Sequence, residues 1–389
     1  MSELTEQGPS WDLSAEYPSP TSSEVEADLL ELDELLASME RLNASLHGDA
    51  AVETAQRLDE LSNESAILLR NVSAFASCLL SVDSHDEPAQ VLQGRLKNYS
   101  KRHTMLCEPL TQFTTLADEP SIAAYLSDPR AAAAEFLVRH SRKRSHELLS
   151  LQEETLASGL AQDGIHAWGT LYSQLSGTLR CQVLRGNDVE EMGIAQASGL
   201  LGSRTVEQRQ GAWRAINQAW RSQQETCAAS INAIAGWRLE MVRRRSAKQA
   251  PAQAVHFLDA PAHMNRITRT TLDSLLDAAA GARPLAQRAA RLQARAYGRK
   301  TIGPWDERAP APALKGAAED ARISFVDAIE LIAHAYAEVD SSMGDFVHMM
   351  ANNRWIEGTV GPNKRPGAYC TGFAKSRTPR VYMTYTGST

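Results

Sequence analysis

Helical periodicity runs through almost all of this sequence and stops only near its C-terminus. In the stretch SSEVEADLLELDELLASME, which starts at Ser22, leucines recur at three- and four-residue steps with acidic residues between them. This spacing is typical of amphipathic helices that bury one face. Only GAYCTGFA and RVYMTY, near the end of the chain, alternate and are rich in β-formers, and the turn residues KSRTP separate them. We therefore expect a mainly α, elongated, multi-helix fold with a short β-hairpin at the C-terminal end, the start of a small sheet.

Capping residues and helix breakers predict where the helical segments begin and end. Ser23 is a candidate N-cap of the first helix, and segments 51–81 and 87–116 predict an antiparallel pair of helices separated by SVDSHDEP. Residues 203–245 predict one long helix with a single buried face. That buried face is expected to carry Trp213, Ile216, Trp220, Cys227, Ile231 and Ile234.

Composition excludes several classes of protein before any motif is considered. The 389 residues are 43% hydrophobic and 22% charged, with a formal net charge of -7. That balance is typical of a soluble globular protein, and it gives no support to nucleic-acid binding, which needs a basic face to neutralise phosphates. No apolar run approaches the ~20 residues of a membrane helix, so we expect no membrane partner. Five widely spaced cysteines and a polar, acidic N-terminus favour reduced thiols and a cytoplasmic location.

None of the ten histidines has the spacing of a metal site. The nearest match to HExxH is HELLS at His146, where Ser150 occupies the position of the second ligand. His256 and His263 are seven residues apart, but Pro261 between them disrupts a shared helical face. Phosphate-binding loops, dinucleotide motifs and nucleophile elbows are also absent from the sequence. From the residues alone we therefore predict no catalytic and no metal-binding side chain.

Several long stretches nevertheless resemble one peptidase family. They are WDLSAEYPSP near the N-terminus, SRTVEQRQGAWRAINQAWRSQQETCAASINAIAGWRLEMVRRR and PLAQRAARLQARAYGRKTIGPWD in the middle, and NRWIEGTVGPNKRPGAYCTGFAKSRTPRVYMTYTGS near the C-terminus. In this order they are similar to oligoendopeptidase F, one of the thimet-oligopeptidase-like zinc metallopeptidases. The resemblance implies an almost wholly helical fold, with a deep channel that admits short peptides and a small sheet beside the metal. It also implies zinc as the cofactor of the complete family protein, held by two histidines of an HExxH helix and a later glutamate, while the HExxH glutamate activates the bound water.

The sequence departs from that family pattern at the metal site. No HExxH occurs in its 389 residues, so the resemblance supplies no zinc ligand and no general base for this chain. We therefore expect an oligoendopeptidase F-like zinc metalloendopeptidase for short peptides, present as a truncated chain that ends before HExxH and is inactive alone. Its expected parts are an extended N-terminal segment (1–23), an N-terminal helical domain (24–185) and an incomplete peptidase catalytic domain (186–389). The alternative is a non-catalytic helical peptide-binding or scaffold protein derived from the same family.

The resemblance also places the substrate beside the C-terminal hairpin. An extended peptide can add to an exposed strand edge through main-chain hydrogen bonds, a mode that tolerates many sequences. Lys364 and Arg365, just before the hairpin, either meet a substrate carboxylate or are turn charges, and the sequence leaves both interpretations open. The expected partners are short peptides, and nothing in the sequence specifies an oligomeric state. The residues assigned to substrate binding by the resemblance are Gly367, Ala368, Tyr369, Cys370, Tyr382, Met383 and Tyr385.

Overall fold

The chain folds into a succession of helices with small sheets, as its periodicity predicts. The computed structural model describes residues 8–48, 51–186, 188–247, 254–311, 323–385 and 387, so the start of the predicted N-terminal segment lies outside the described residues. The mainly helical fold class and the C-terminal hairpin are confirmed. The helices are α1 (Ser23–Asn43), α2 (Ala51–Val82), α3 (Glu87–Leu116), α4 (Glu119–Tyr125), α5 (Pro129–Ala132), α6 (Glu135–Arg142), α7 (Leu151–Ala161), α8 (Ile165–Thr178), α9 (Ile194–Gly199), α10 (Val206–Arg221), α11 (Gln224–Ser246), α12 (Asp259–Met264), α13 (Arg269–Gly281), α14 (Arg283–Ala296), α15 (Phe325–Ala337) and α16 (Ser341–Asn352). The strands are β1 (Arg180–Arg185), β2 (Asp188–Gly193), β3 (Ile356–Glu357), β4 (Tyr369–Phe373) and β5 (Thr378–Tyr382).

Helices α1, α2 and α3 pack together as the core of the N-terminal half. The hydroxyl of Ser22 accepts a hydrogen bond from the Val25 N–H, so the N-cap of α1 lies one residue before the predicted Ser23. Helices α2 and α3 are the predicted pair, and the short connection between them makes them antiparallel neighbours. The Asp86 carboxylate caps α3. The apolar residues of α1 that face this core are Val25, Leu29, Leu32, Leu36 and Met39.

Helix α2 is long and apolar enough, by length and composition, to cross a membrane. Its most apolar stretch has a mean hydropathy of 1.5, a feature that the sequence analysis missed. In this fold, 56% of that stretch is buried inside the protein, where α2 packs against α1, α3 and α4. Such burial is typical of the central helix of a globular core.

The long helix predicted over 203–245 is in fact two helices, and its predicted buried face is confirmed only in part: Ile216 and Trp220 pack, partly buried, on an apolar cluster of β1 and α10. Helix α10 ends at Arg221, and a two-residue break separates it from α11. Alanines rather than tryptophans form most of the buried face of α10, because small side chains let the helix pack closely on strand β1. Trp213 and Trp220 lie half-buried beside that face, while Ile231 on α11 is 66% exposed.

Strands β1 and β2 form a hairpin at the predicted division between 24–185 and 186–389. They pair antiparallel along their whole length, and their buried residues join α10 in a second apolar cluster. The two strands therefore lie on opposite sides of the predicted boundary while belonging to one structural unit. The domain division itself stays a prediction.

The C-terminal sheet lies between the N-terminal core and helices α15 and α16. Its strand order is β3-β5-β4: β4 and β5 form the predicted antiparallel hairpin, and β3 adds a parallel strand that the sequence did not predict. Side chains alternate between the two faces of a strand. Phe373 and Tyr382 face the core built by α1 and α2, whereas Ile356 and Val381 pack with α15 and α16. The sheet thus connects the first and last parts of the described chain.

Candidate functional site

One edge of the C-terminal sheet is covered by the N-terminal segment. The Gly358 N–H donates to the Pro9 carbonyl at 2.7 Å, and the Asp12 N–H donates to the Arg354 carbonyl at 2.8 Å. The two stretches approach so closely that a Cβ added to Gly8 would lie 2.6 Å from Gly358, a separation that requires glycine. The residues before α1 thus shield the β3 side of the sheet, and β4 forms the opposite edge.

Strand β4 directs main-chain groups away from the sheet at that edge. In an antiparallel ladder, pairs of residues that bond to each other alternate with pairs whose N–H and C=O groups point outward. Gly372 lies opposite Pro379, which has no N–H, so this is an outward-pointing pair, and the alternation makes Cys370 opposite Val381 another. No hydrogen bond to the N–H or C=O groups of Cys370 and Gly372 is present among the described residues. The N–H and C=O groups of Cys370 and Gly372 can therefore form hydrogen bonds with a further strand.

A buried ion pair supports the sheet from within. Lys364 Nζ lies 2.7 Å from Glu357 Oε1, and both side chains are fully shielded from solvent. The same ammonium group donates to the main-chain carbonyls of Thr359 and Met383. For Glu357, burial acts to raise the pKa, but hydrogen bonds from Lys364 and Thr359 hold it below its usual value. Lys364 is therefore a structural cation that a substrate carboxylate does not reach, and both interpretations offered by the sequence are wrong for this residue.

Three tyrosines attach the hairpin to its surroundings. The rings of Tyr369 and Tyr382 stack with 4.8 Å between centroids, and both hydroxyls donate to Ser81 at the end of α2. The Tyr385 hydroxyl donates to the Ile323 carbonyl at 2.5 Å. Burial raises the pKa of each of the three phenols, so they remain protonated donors at neutral pH.

Four of the residues assigned to substrate binding lie together at the start of β4. Gly367, Ala368 and Cys370 are exposed, and Tyr369 between them is half-buried, with its hydroxyl on α2. Gly367 has a φ of 107°, a conformation that glycine adopts readily and other residues avoid. This glycine turns the chain into the strand, so the free edge begins immediately after it.

The other three assigned residues contact the protein interior. Tyr382 and Tyr385 are 1% and 9% exposed, and Met383 packs with the apolar cluster formed by β3, α15 and α16. Their role in substrate binding stays a prediction. Sequence reasoning missed Glu357 and Ser81, because a two-residue strand and a single helical serine give no local signal of their contacts.

Arg365 is a half-buried cation, and no carboxylate of the described residues lies near it. Its Nε is buried and has no hydrogen-bond partner, and its guanidinium forms no ion pair within the described ranges. Burial lowers the pKa of Arg365, whereas the nearby phenols of Tyr369 and Tyr382 act to raise it. Ser84, which lies beside Arg365 around Gly177, has a buried hydroxyl that also lacks a partner.

Zinc, which the resemblance implies, does not fit the side chains of the described part of the chain. No group of three or more His, Cys, Asp or Glu there is arranged to hold a metal ion. At the near match to HExxH, Glu147 pairs with Arg144, and the segment forms a single short turn in place of a long helix. His263 stacks on His140, with 3.9 Å between the ring centroids.

Comparisons with known proteins agree with this fold. Residues 115–180 match a family model described as oligopeptidase F. Among solved structures, a protein assigned as an oligoendopeptidase F from Bacillus anthracis gives a TM-score of 0.66 at 13% identity, over 92% of this chain and 62% of that one. Oligoendopeptidase-F from Enterococcus faecium gives 0.64 at 15% identity, over 88% and 69%. Pz peptidase A, solved with an inhibitor, gives 0.65 at 14% identity, over 94% and 60%.

The comparisons also show how much of a longer protein this chain resembles. It spans 62% of the length of the Bacillus anthracis structure and 60% of Pz peptidase A. No curated protein matches the sequence. The family model matches residues 115–180 only, and the solved structures share the mainly helical fold along nearly the whole chain.

Proposed function

We propose that this chain is part of an oligoendopeptidase F-like zinc metalloendopeptidase and forms one wall of a channel that holds short peptides. In this proposal an extended peptide lies along β4 and bonds to the main chain of Cys370 and Gly372. The observation that carries the proposal is the β4 edge, to which no described residue hydrogen-bonds and where these outward groups adjoin the exposed Gly367 and Ala368. Main-chain recognition of this kind suits an enzyme that accepts many peptide sequences.

The zinc ligands and the activating carboxylate belong, in the same proposal, to polypeptide outside these 389 residues. The sequence contains no HExxH, and the solved structures with this fold are longer. Exposed apolar residues on α15 and α16 give further support: Leu331, Tyr336 and Phe346 are 53%, 46% and 44% exposed. Apolar faces of this kind are normally covered by more protein. We place the protein in the cytoplasm, where its five free cysteines stay reduced.

Replacing Gly372 by proline tests the strand edge directly. Proline removes the outward N–H while leaving the hydrogen bonds between β4 and β5 in place. We expect the variant to bind an extended peptide about tenfold more weakly, through the lost hydrogen bond and the bulk of the ring. Fluorescence polarisation with a fluorescein-labelled octapeptide of mixed sequence measures this affinity in metal-free buffer.

Gly372→Ala is the matched control for that variant because it keeps the N–H. The added Cβ would meet the Thr378 carbonyl oxygen at 3.6 Å, an ordinary contact distance. We expect alanine to leave the affinity within about twofold of the unmodified chain. If proline and alanine bind equally well, peptide does not add at this edge. If the unmodified chain binds no peptide, the proposed function itself fails.

Metal content and activity provide an independent test. We expect the 389-residue chain alone to hold no stoichiometric zinc and to leave a quenched fluorescent peptide intact, because its described side chains form no metal site. Metal analysis after gel filtration and a hydrolysis assay with and without chelator measure both properties. One tight zinc per chain with chelator-sensitive hydrolysis would refute the assignment of the ligands to other polypeptide. Peptide binding without zinc in the whole gene product would favour the alternative, a non-catalytic peptide-binding protein.

A further inference from the structure

We propose that Arg365 binds the C-terminal carboxylate of the peptide that lies on β4, and thereby sets the direction in which the peptide lies. The inference rests on the proposed function and adds to it a recognition site for one end of the substrate. It concerns a side chain that, unlike its neighbour Lys364, has no anionic partner in the described part of the protein.

The first argument is that Arg365, which is half-buried, has no carboxylate counter-ion among the described residues. Removing a charge from water is unfavourable unless a partner compensates for it. Nearby cations follow this rule: Lys364 pairs with Glu357, and Arg380 lies 3.4 Å from Glu16. Arg365 differs from both in having no carboxylate near it among the described residues. Its buried Nε has no hydrogen-bond partner, as is also true of the Nε of Arg380. A carboxylate is the ligand that matches a guanidinium best, because it accepts two parallel hydrogen bonds.

The second argument is that other unused or cationic groups lie around Arg365. A Cβ built on Gly177 would lie 3.0 Å from Ser84 Oγ and 3.8 Å from Arg365 Cγ, so the two side chains border the same small region. The Ser84 hydroxyl is buried and has no partner there. Arg180 adds positive charge on this side, where its guanidinium donates to the Asn363 side chain at 2.6 Å. The region therefore offers donors and a positive potential to an anion.

The third argument is the position of Arg365 relative to β4. Its N–H donates to the Ser81 carbonyl at 2.9 Å, and its carbonyl accepts from the Tyr382 hydroxyl at 2.6 Å. Tyr369, the first residue of β4, binds the same serine, so Arg365 lies beside the beginning of the strand. A peptide antiparallel to β4 has its C-terminus at this end. A parallel peptide would bring its positively charged N-terminus to Arg365, which is electrostatically unfavourable.

Two peptides of one sequence test the inference in the full 389-residue chain. Both carry fluorescein at the N-terminus, and one ends in a free carboxylate while the other ends in a carboxamide. We expect the acid to bind about tenfold more tightly, because hydrogen bonds between charged groups are stronger than neutral ones. Arg365→Met, which removes the charge and the donors, is expected to bind the acid as weakly as the amide. Arg377→Met is the matched control, since Arg377 is an exposed cation in the turn of the same hairpin, and it should keep the tenfold preference.

The outcomes separate this inference from the proposed function. Equal affinity of the unmodified chain for acid and amide overturns the inference, and this comparison needs no variant to fold. The proposed function survives that result if Gly372→Pro still weakens both peptides. A preference for the acid that persists in Arg365→Met shows that the carboxylate binds elsewhere and also overturns the inference.

Discussion

Replacing Lys364 by methionine is expected to lower the free energy of unfolding by about 3 to 5 kcal/mol. Methionine keeps much of the side-chain volume but leaves Glu357 buried without its counter-ion. The variant also loses the hydrogen bonds from Nζ to the carbonyls of Thr359 and Met383. Because these partners lie on β3, on the following loop and just after β5, their loss should loosen the whole C-terminal sheet. Urea denaturation followed by tryptophan fluorescence measures the change.

An ion pair whose two side chains are both exposed is the control for this variant. Arg95 Nη2 lies 2.8 Å from Glu26 Oε2, and the two side chains are 41% and 52% exposed. Ion pairs in contact with water contribute little, so we expect Arg95→Met to cost at most about 1 kcal/mol. Similar losses of unfolding free energy in the two variants would show that the buried Lys364–Glu357 pair stabilises the fold no more than an exposed pair does.

The dependence of stability on pH gives the Lys364 variant a second signature. In the unmodified chain the pKa of Glu357 is held below 4.5, so its contribution is complete above that pH and is lost as the pH falls through the lower folded value. In Lys364→Met, burial is no longer opposed by the ammonium group and should raise the pKa of Glu357. The variant should then recover part of its deficit between about pH 7 and about pH 5, where protonation favours its folded state. A deficit that stays constant over this range would argue against an uncompensated buried carboxylate.

Local signals were sufficient to predict the N-terminal helices. The spacing of Leu29, Leu32 and Leu36 predicted the buried face of α1, and Asp86 together with the proline in the first turn of α3 predicted where that helix begins. Such features depend on neighbours within one or two turns, which the sequence contains directly. Which side chains of α10 are buried depends instead on the distant elements against which the helix packs. Alanines such as Ala215 and Ala219 pack with residues of β1, and periodicity favoured the larger side chains beside them.

The candidate site was predictable only in outline. The resemblance and the change of period predicted the hairpin and its exposed residues: Cys370 lies at the free edge, and Gly367 lies just before that edge begins. The partner of Lys364 could not be inferred, because Glu357 belongs to a two-residue strand whose burial depends on the N-terminal segment and on β5. Alternation alone also does not say which face of a hairpin meets the core. That choice, which turned Tyr382 inward, is made by non-local packing on α2.

Asp306→Asn is expected to destabilise the junction between α10 and the segment after α14 by about 3 to 5 kcal/mol. Asp306 is fully buried and binds two guanidinium groups, Arg209 at 2.7 Å and Arg299 at 3.0 Å. Arg209 is fully buried as well, so a neutral asparagine leaves its charge without a counter-ion. The asparagine oxygen can still accept the hydrogen bond from the Gly303 N–H, so the turn is kept. Its amide NH2 group then faces the guanidinium groups of Arg209 and Arg299, so their hydrogen bonds to this side chain are lost together with the charge.

Acid titration and proteolysis distinguish this effect from a general loss of packing. Burial acts to raise the pKa of Asp306, but hydrogen bonds from its arginine partners and the Gly303 N–H hold it below 3.8. Its contribution is therefore present above that pH and lost as the pH falls further, so Asp306→Asn should respond less to acid below about pH 4. Asp273→Asn, which breaks an exposed pair with Arg269 on α13, should change stability by at most about 0.5 kcal/mol. We expect trypsin to cleave the segment after α14 faster in Asp306→Asn than in the unmodified chain, and no such change in Asp273→Asn. Equal cleavage of the two variants would show that the buried ion pairs do not hold this segment on α10.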